Sequence, residues 1–243
     1  MNGPVRSCPA LQERIEVSSF ERFLDTFFNA TVLEKYAPAI LSGVGVTVWL
    51  SILIIIVGMA FGTLLACLRA YRFKPLSFFI VIYADIFRAL PPLVMILLIF
   101  FGLPSVGITL SSFMVLFVVL ALILSAFAEE ILWAGITSIE KGQWEAARST
   151  GLGLTQTLIF VVLPQAMRLA IPPLTNRAIA ITKMTALGTV IGVPDILNQA
   201  STAQSFSGNA SPLMLAAVAY VVLFLPFVIL SRWLENRYFW RKA

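Results

Sequence analysis

Thirty-three consecutive residues without a charge, Tyr36 to Leu68, decide most of what this chain can fold into. A helix that crosses the hydrocarbon core of a bilayer needs about 20 mostly apolar residues. Val44–Cys67 supplies them almost without interruption, before Arg69, Arg72 and Lys74 close the run. In lipid the backbone finds no water, so such a run must satisfy its own N–H and C=O groups as an α-helix. The composition agrees: 59% of the residues are hydrophobic and only 12% charged, against roughly a quarter charged in soluble domains.

Further apolar runs follow. The second, about Leu76–Phe101, contains Asp85, Arg88 and the pair Pro91-Pro92, which excludes a plain lipid-facing helix. The third, about Leu110–Leu132, carries Glu129 and Glu130 near its end. A polar section, Gly135–Thr157, separates it from a long, broken fourth run, about Leu158–Leu187, in which Pro172-Pro173 is expected to open backbone carbonyls to the interior. The fifth, about Leu213–Trp233, is closed by Arg232 and a basic tail of Arg237, Arg241 and Lys242. The pattern predicts an all-α integral membrane protein of five spans, in the chain order 1–38 (extracytoplasmic N-terminal segment), 39–235 (membrane domain with a loop over about 135–157) and 236–243 (tail).

Orientation follows from the basic residues between spans. The connections after the first, third and fifth runs hold three, two and four Lys or Arg, whereas 102–111 and 188–212 hold none. The positive-inside rule then puts the basic segments and the C-terminus in the cytoplasm and the N-terminus outside. The four basic residues of the N-terminal segment oppose this, but only Arg22 and Lys35 lie near the membrane. The net charge of +5 therefore reads as topology and not as a nucleic-acid-binding stripe.

The first 38 residues do not resemble a secretory signal, because Arg6, Glu13, Arg14, Glu16, Glu21, Arg22 and Asp25 interrupt every candidate apolar core. Phe20, Phe23, Leu24, Phe27 and Phe28 fall at roughly helical spacing beside charges. That predicts an amphipathic helix, lying either on the membrane surface or against neighbouring protein. Cys8 and Cys67 offer no C-x-x-C spacing, and the absence of histidine removes the commonest general base and nitrogen metal ligand. Gly43-Val-Gly45 and Gly151-Leu-Gly153 lack the third glycine of a dinucleotide site, and no P-loop motif occurs. The chain is expected to hold no metal, bind no cofactor and catalyse no covalent reaction.

Glu140–Thr150 is rich in helix formers, with Gly142 and Gly151 as boundary residues. At helical spacing Trp144, Ala147 and Gly151 share one face, and Lys141, Glu145 and Arg148 another. Ala146 and Ala147 are small enough to let a partner approach the backbone closely. Gly151 lets the chain turn away, and Pro164 begins or kinks the following run. By itself such a segment reads as an ordinary amphipathic loop helix.

Its sequence is more specific. Glu145-Ala-Ala-Arg-Ser-Thr-Gly151, then Val161-Val-Leu-Pro164 after nine residues, resembles the Glu-Ala-Ala…Gly…Ile-x-Leu-Pro signature of permease subunits of binding-protein-dependent ABC importers. Only the Ile departs, as Val161. The polar amino acid uptake branch is similar in more places: Arg88-Ala-Leu-Pro91-Pro-Leu93, Ala126-Phe127…Glu130-Ile131…Gly135-Ile136, Gly142-Gln143, Leu163-Pro-Gln-Ala166, Pro173-x-x-Asn176 and Lys183-Met-Thr185-Ala-Leu187. The resemblance covers about residues 38–235. It implies a multi-pass subunit of a bacterial inner membrane that pairs with a second permease, identical or related. A coupling helix built on Gly142, Glu145, Ala146, Ala147, Arg148, Gly151, Leu163 and Pro164 docks on a separate ATPase subunit that binds the ATP. The solute, an amino acid or a related small polar molecule, arrives from an extracytoplasmic binding protein. Where the branch usually carries Gly-Thr, Gln, Arg and Ser, this chain has the less polar Ala89-Leu90, Met95, Trp133 and Ala186, a difference that bears on the solute if those positions line its path.

Buried charge points to the same region. A charge near the bilayer centre costs about 2.5–3.5 kcal/mol by insertion scales, so it faces protein or a water-filled cavity. Arg177 and Lys183 lie well inside the fourth run. Asn176, Arg177, Lys183 and Thr185 are expected along one wall of the solute path, with Arg88, Pro91 and Glu130 as further candidates. The competing reading pairs these charges with Asp85, Glu129 or Glu130 simply to hold helices together, Asp85–Arg88 being the most local such pair. The competing function is a carrier driven by an ion gradient, which the broken run and buried charges fit but which leaves the coupling signature unexplained.

Overall fold

The computed structural model describes residues 19–239, with side chains from Phe20 to Trp233. The first eighteen residues, Cys8 among them, and Arg241 and Lys242 of the basic tail lie outside the described residues. Within them every regular element is helical. A short α1, Ser19–Phe28, leads into α2, Ala30–Ala70, started by Asn29, whose side chain accepts the Val32 N–H at 3.1 Å. At 41 residues α2 is about 60 Å long, so it crosses the membrane and projects well beyond it. A tight turn, with Arg72 at φ 57, leads to the second crossing.

That crossing is broken. Leu90, held extended by the proline after it, separates α3, Lys74–Ala89, from α4, Pro92–Gly102, and the helical axes on either side of the break meet at 101°. The third crossing, α5 (Ser112–Ser138), is continuous and is followed by the separate α6, Lys141–Ser149. The fourth runs over Leu154–Ile191 as α7 (Leu154–Thr157), a π turn (Leu158–Val162), α8 (Leu163–Lys183) and a 3-10 segment (Met184–Ile191). A cross-connecting α9, Ile196–Ser207, precedes the last crossing in α10, Ser211–Phe239. By length and apolarity four stretches can cross a membrane, and the bent pair makes a fifth.

One expectation is refined and another corrected. The fourth run is irregular, but not at Pro172-Pro173, since α8 passes through both. Its irregularity lies earlier, where Pro164 has no N–H to give. There the chain widens into the π turn, the Leu163 N–H reaches Leu158 O, and the Gln165 side-chain amide donates to Val161 O at 2.8 Å. Gly142 is not a boundary residue either, because it sits inside the first turn of α6.

Helices α2 and α5 meet along small residues. A Cβ on Gly62 would stand 2.6 Å from both Ala128 Cβ and Ser125 O. Only glycine permits this approach, which is how helices gain van der Waals contact where lipid offers no hydrophobic gain. On one side of the contact Leu50, Ile54, Leu116, Leu120 and Ile181 form a core, and towards α6 Ala66, Leu132, Leu158 and Val162 form another. Trp49, Ile56, Leu64, Phe79, Phe101 and Val222 are exposed, an apolar outer surface of the kind lipid covers. At the far end Asp195 is fully buried and caps α9. It accepts from the Asn198 N–H at 2.8 Å and from Thr189 Oγ1 at 3.0 Å, while burial pushes its carboxyl above the ordinary range.

The apolar residues of α1 remain open, with Phe20 67% and Phe28 48% exposed. Hydrogen bonds tie its C-terminal end to the start of the last crossing. Asn209 Nδ2 donates to Asp25 O at 2.8 Å, the Ala210 N–H to Thr26 O at 3.1 Å, and the Asn29 N–H to Ser211 Oγ at 2.9 Å.

Candidate functional site

The polar helix α6 is fixed from behind and open in front. Ala147 is buried, and Trp144 packs against the core of Leu132, Ile136 and Leu158. Lys141, Glu145, Ala146 and Arg148 are exposed. Gly151 ends the unit at φ +90, a backbone conformation that costs other residues a steric clash. Gln165 Nε2 donates to Gln143 Oε1 at 3.2 Å, joining α6 to the start of the fourth crossing, and Tyr71 OH donates to Thr155 Oγ1 at 3.0 Å. Leu163 is half-buried and Pro164 exposed at the exit of the π turn. One side-chain hydrogen bond thus ties α6 directly to the fourth crossing.

The second constellation lies eight residues before the end of α5, about 12 Å along the helix axis. Arg88, at the end of α3, forms an ion pair with Glu130 and lies 3.9 Å from Asp85. Its guanidinium is 5.5 Å from the centre of the Phe127 ring, and that of Arg177 on α8 lies 3.7 Å from the same centre. Two cations thus lie within about 6 Å of the centre of one aromatic ring, whose faces are electrostatically negative. Arg88 is neutralised by carboxylates. Arg177 makes no ion pair among the described residues.

The expected single wall divides into two. Lys183 does not join Arg177, because six helical residues amount to about 600° of rotation, which turns it to another side. It stands 5.8 Å from the Phe224 ring of α10 and lines a cavity of about 450 Å³ with Ala186, Tyr220 and Leu225. Asn176 faces the same helix and accepts from Ser231 Oγ at 2.6 Å. Thr185 is fully buried, its hydroxyl donated to Thr182 O at 2.8 Å. Pro91, three residues after Arg88, marks the 101° bend. Neither Arg177 nor Lys183 pairs with Asp85, Glu129 or Glu130, whereas Arg88 meets both Asp85 and Glu130.

Sequence reasoning did not single out two features. Phe127 entered only as part of a motif, and nothing in the chain brings Arg88 and Arg177 to it except tertiary packing. Glu129 is fully buried and accepts from Arg69 Nη1 at 2.9 Å, while the Arg69 guanidinium lies 4.5 Å from the Trp133 ring centre. An arginine just past one apolar run and a glutamate near the end of another were the signal for that pair.

Comparison with known proteins agrees with this architecture. The profile of the binding-protein-dependent transport system inner membrane component matches residues 58–240. The probable glutamine ABC transporter permease protein GlnP of Bacillus subtilis (strain 168) is 35% identical over 214 residues, covering 86% of this chain and 98% of its own. The glutamate/aspartate import permease protein GltK of Escherichia coli O157:H7 is 33% identical over 223 residues, covering 86% and 98%. A crystal structure of an amino acid ABC transporter with histidines aligns with a TM-score of 0.76 at 33% identity, over 84% of this chain and 96% of that one. The chain belongs to the family of inner membrane components of binding-protein-dependent transport systems.

Proposed function

We propose that this permease subunit moves amino acids or related small polar solutes into the cell, with ATP bound and hydrolysed by a separate partner subunit. One observation carries the reading: a polar helix with Lys141, Glu145, Ala146 and Arg148 exposed, tied by a side-chain hydrogen bond to the start of a membrane crossing. Gly142, Glu145, Ala146, Ala147, Arg148 and Gly151 form this lever, and Leu163 and Pro164 its hinge to the membrane. With the N-terminus outside and the basic connections inside, the lever faces the cytoplasm, where an ATPase meets it. ATP binding then biases an equilibrium between inward-open and outward-open states. A second permease, the same chain or a relative, closes the path, and an extracytoplasmic binding protein delivers the solute.

Arg177 suits a cargo that carries a carboxylate. It is held on Phe127 with no acidic partner among the described residues, while Arg88 is already matched by Glu130 and Asp85. The lever is tested in vesicles containing the reconstituted transporter. Uptake should require ATP and the ATPase subunit, and Glu145→Lys should lower it at least tenfold with the subunit still folded. Uptake driven by a proton or sodium gradient without ATPase would overturn the proposal.

A further inference from the structure

Beside the turn that joins the first and second crossings lies a cavity of about 510 Å³ that the transport cycle above does not use. It is lined by Arg69, Arg72, Lys74, Ser77, Phe78 and Trp133, and among the described residues no carboxylate lines it. We propose that this cavity binds the phosphate headgroup of an anionic membrane lipid.

The charges are arranged for an anion. Arg69 is fixed by Glu129 at 2.9 Å and stacked 4.5 Å from the Trp133 ring centre, so its own charge is matched and its position rigid. Arg72 and Lys74 are exposed and make no ion pair among the described residues, leaving two positive charges without a counter-charge at the cavity. The 16-residue helix Lys74–Ala89 begins here without a side-chain cap, so the first-turn N–H groups left beside Pro75, which has none, and the positive end of its dipole add to the field. Ser77 adds a hydroxyl.

The position favours a lipid over a soluble anion. The cavity sits where two crossings meet a turn, with Phe78, 62% exposed, and Trp133 on its wall, and Phe73 and Phe79, 62% and 68% exposed, lie close by in the chain. Aromatic rings collect at the headgroup level of a bilayer, and basic pockets between crossings at the cytoplasmic surface suit anionic headgroups. An exposed phenylalanine on the wall gives the glycerol and upper acyl carbons an apolar contact that inorganic phosphate cannot use.

Native mass spectrometry of the purified, delipidated full chain tests this by titration with phosphatidylglycerol, phosphatidylethanolamine or inorganic phosphate. Phosphatidylglycerol should bind at concentrations at least about tenfold lower than phosphatidylethanolamine. Arg72→Gln combined with Lys74→Gln should remove that preference while helical content by circular dichroism is unchanged, and the charge-preserving Arg72→Lys should keep it. Equal binding of the two lipids, a double variant that still discriminates, or inorganic phosphate binding as tightly as phosphatidylglycerol would each overturn the proposal. Should the double variant fail to fold, the wild-type comparison of the two lipids and phosphate decides alone. Because no ATPase takes part, failure here leaves the transport reading untouched.

Discussion

The two arginine sites differ in what their guanidiniums must do. Arg69 holds a carboxylate that has no other partner, since the second oxygen of Glu129 accepts no hydrogen bond among the described residues. Removing one member of a buried pair strands the other charge and costs about 3–5 kcal/mol, whereas replacing both by apolar groups is often neutral. Arg69→Ala should therefore lower the thermal unfolding midpoint of the purified subunit markedly, and Arg69→Met with Glu129→Met should restore most of the loss. Arg177 leans on Phe127 and has no carboxylate to strand among the described residues. Arg177→Gln should leave the unfolding midpoint within a degree or two but reduce ATP-driven uptake of an amino acid at least tenfold, chiefly through a higher KM. Unchanged uptake would remove Arg177 from the solute path.

Among the helices, the contact between α2 and α5 is the least forgiving. Gly62→Val would drive methyl groups into Ala128 and the Ser125 carbonyl, which stand 2.6 Å from the place a first side-chain carbon would take. Overpacking of this kind costs about 1–3 kcal/mol or more. The folded yield and thermal midpoint of that variant should fall, while Gly45→Ala, with open space around it, should be silent. The helices themselves were legible in the sequence because apolar runs of this length have no alternative in lipid. So was the division of α6 into an inward face with Trp144 and an outward one with Lys141, Glu145 and Arg148, but Ala147, expected with Ala146 to admit a partner, is buried within the chain and only Ala146 is exposed. The fate of the prolines was not legible. Proline chemistry marks where a backbone bond is missing, but packing decides whether the helix bends, widens or continues. All three outcomes occur here, at Pro91, Pro164 and Pro172-Pro173.

Across the whole molecule the candidate site draws on α3, α5 and α8, which are separated in the chain by dozens of residues. That is why individual charges were readable as candidates while their grouping was not. Arg177 and Lys183 looked like neighbours in sequence but serve different interfaces. The right-angle bend of the second crossing reaches further, into biogenesis. Its arms of 16 and 11 residues are about 24 and 16 Å long, each short of a hydrocarbon core of about 30 Å. Neither arm is a self-sufficient insertion unit, and the carbonyls of Phe87 and Arg88, which lose their helical donors because Pro91 and Pro92 have no N–H, need protein around them before lipid closes in. A nascent chain stopped after Gly107 should leave residues 74–106 open to protease, and one extended through Ser138 should protect them, because the third crossing is the scaffold on which the second is laid.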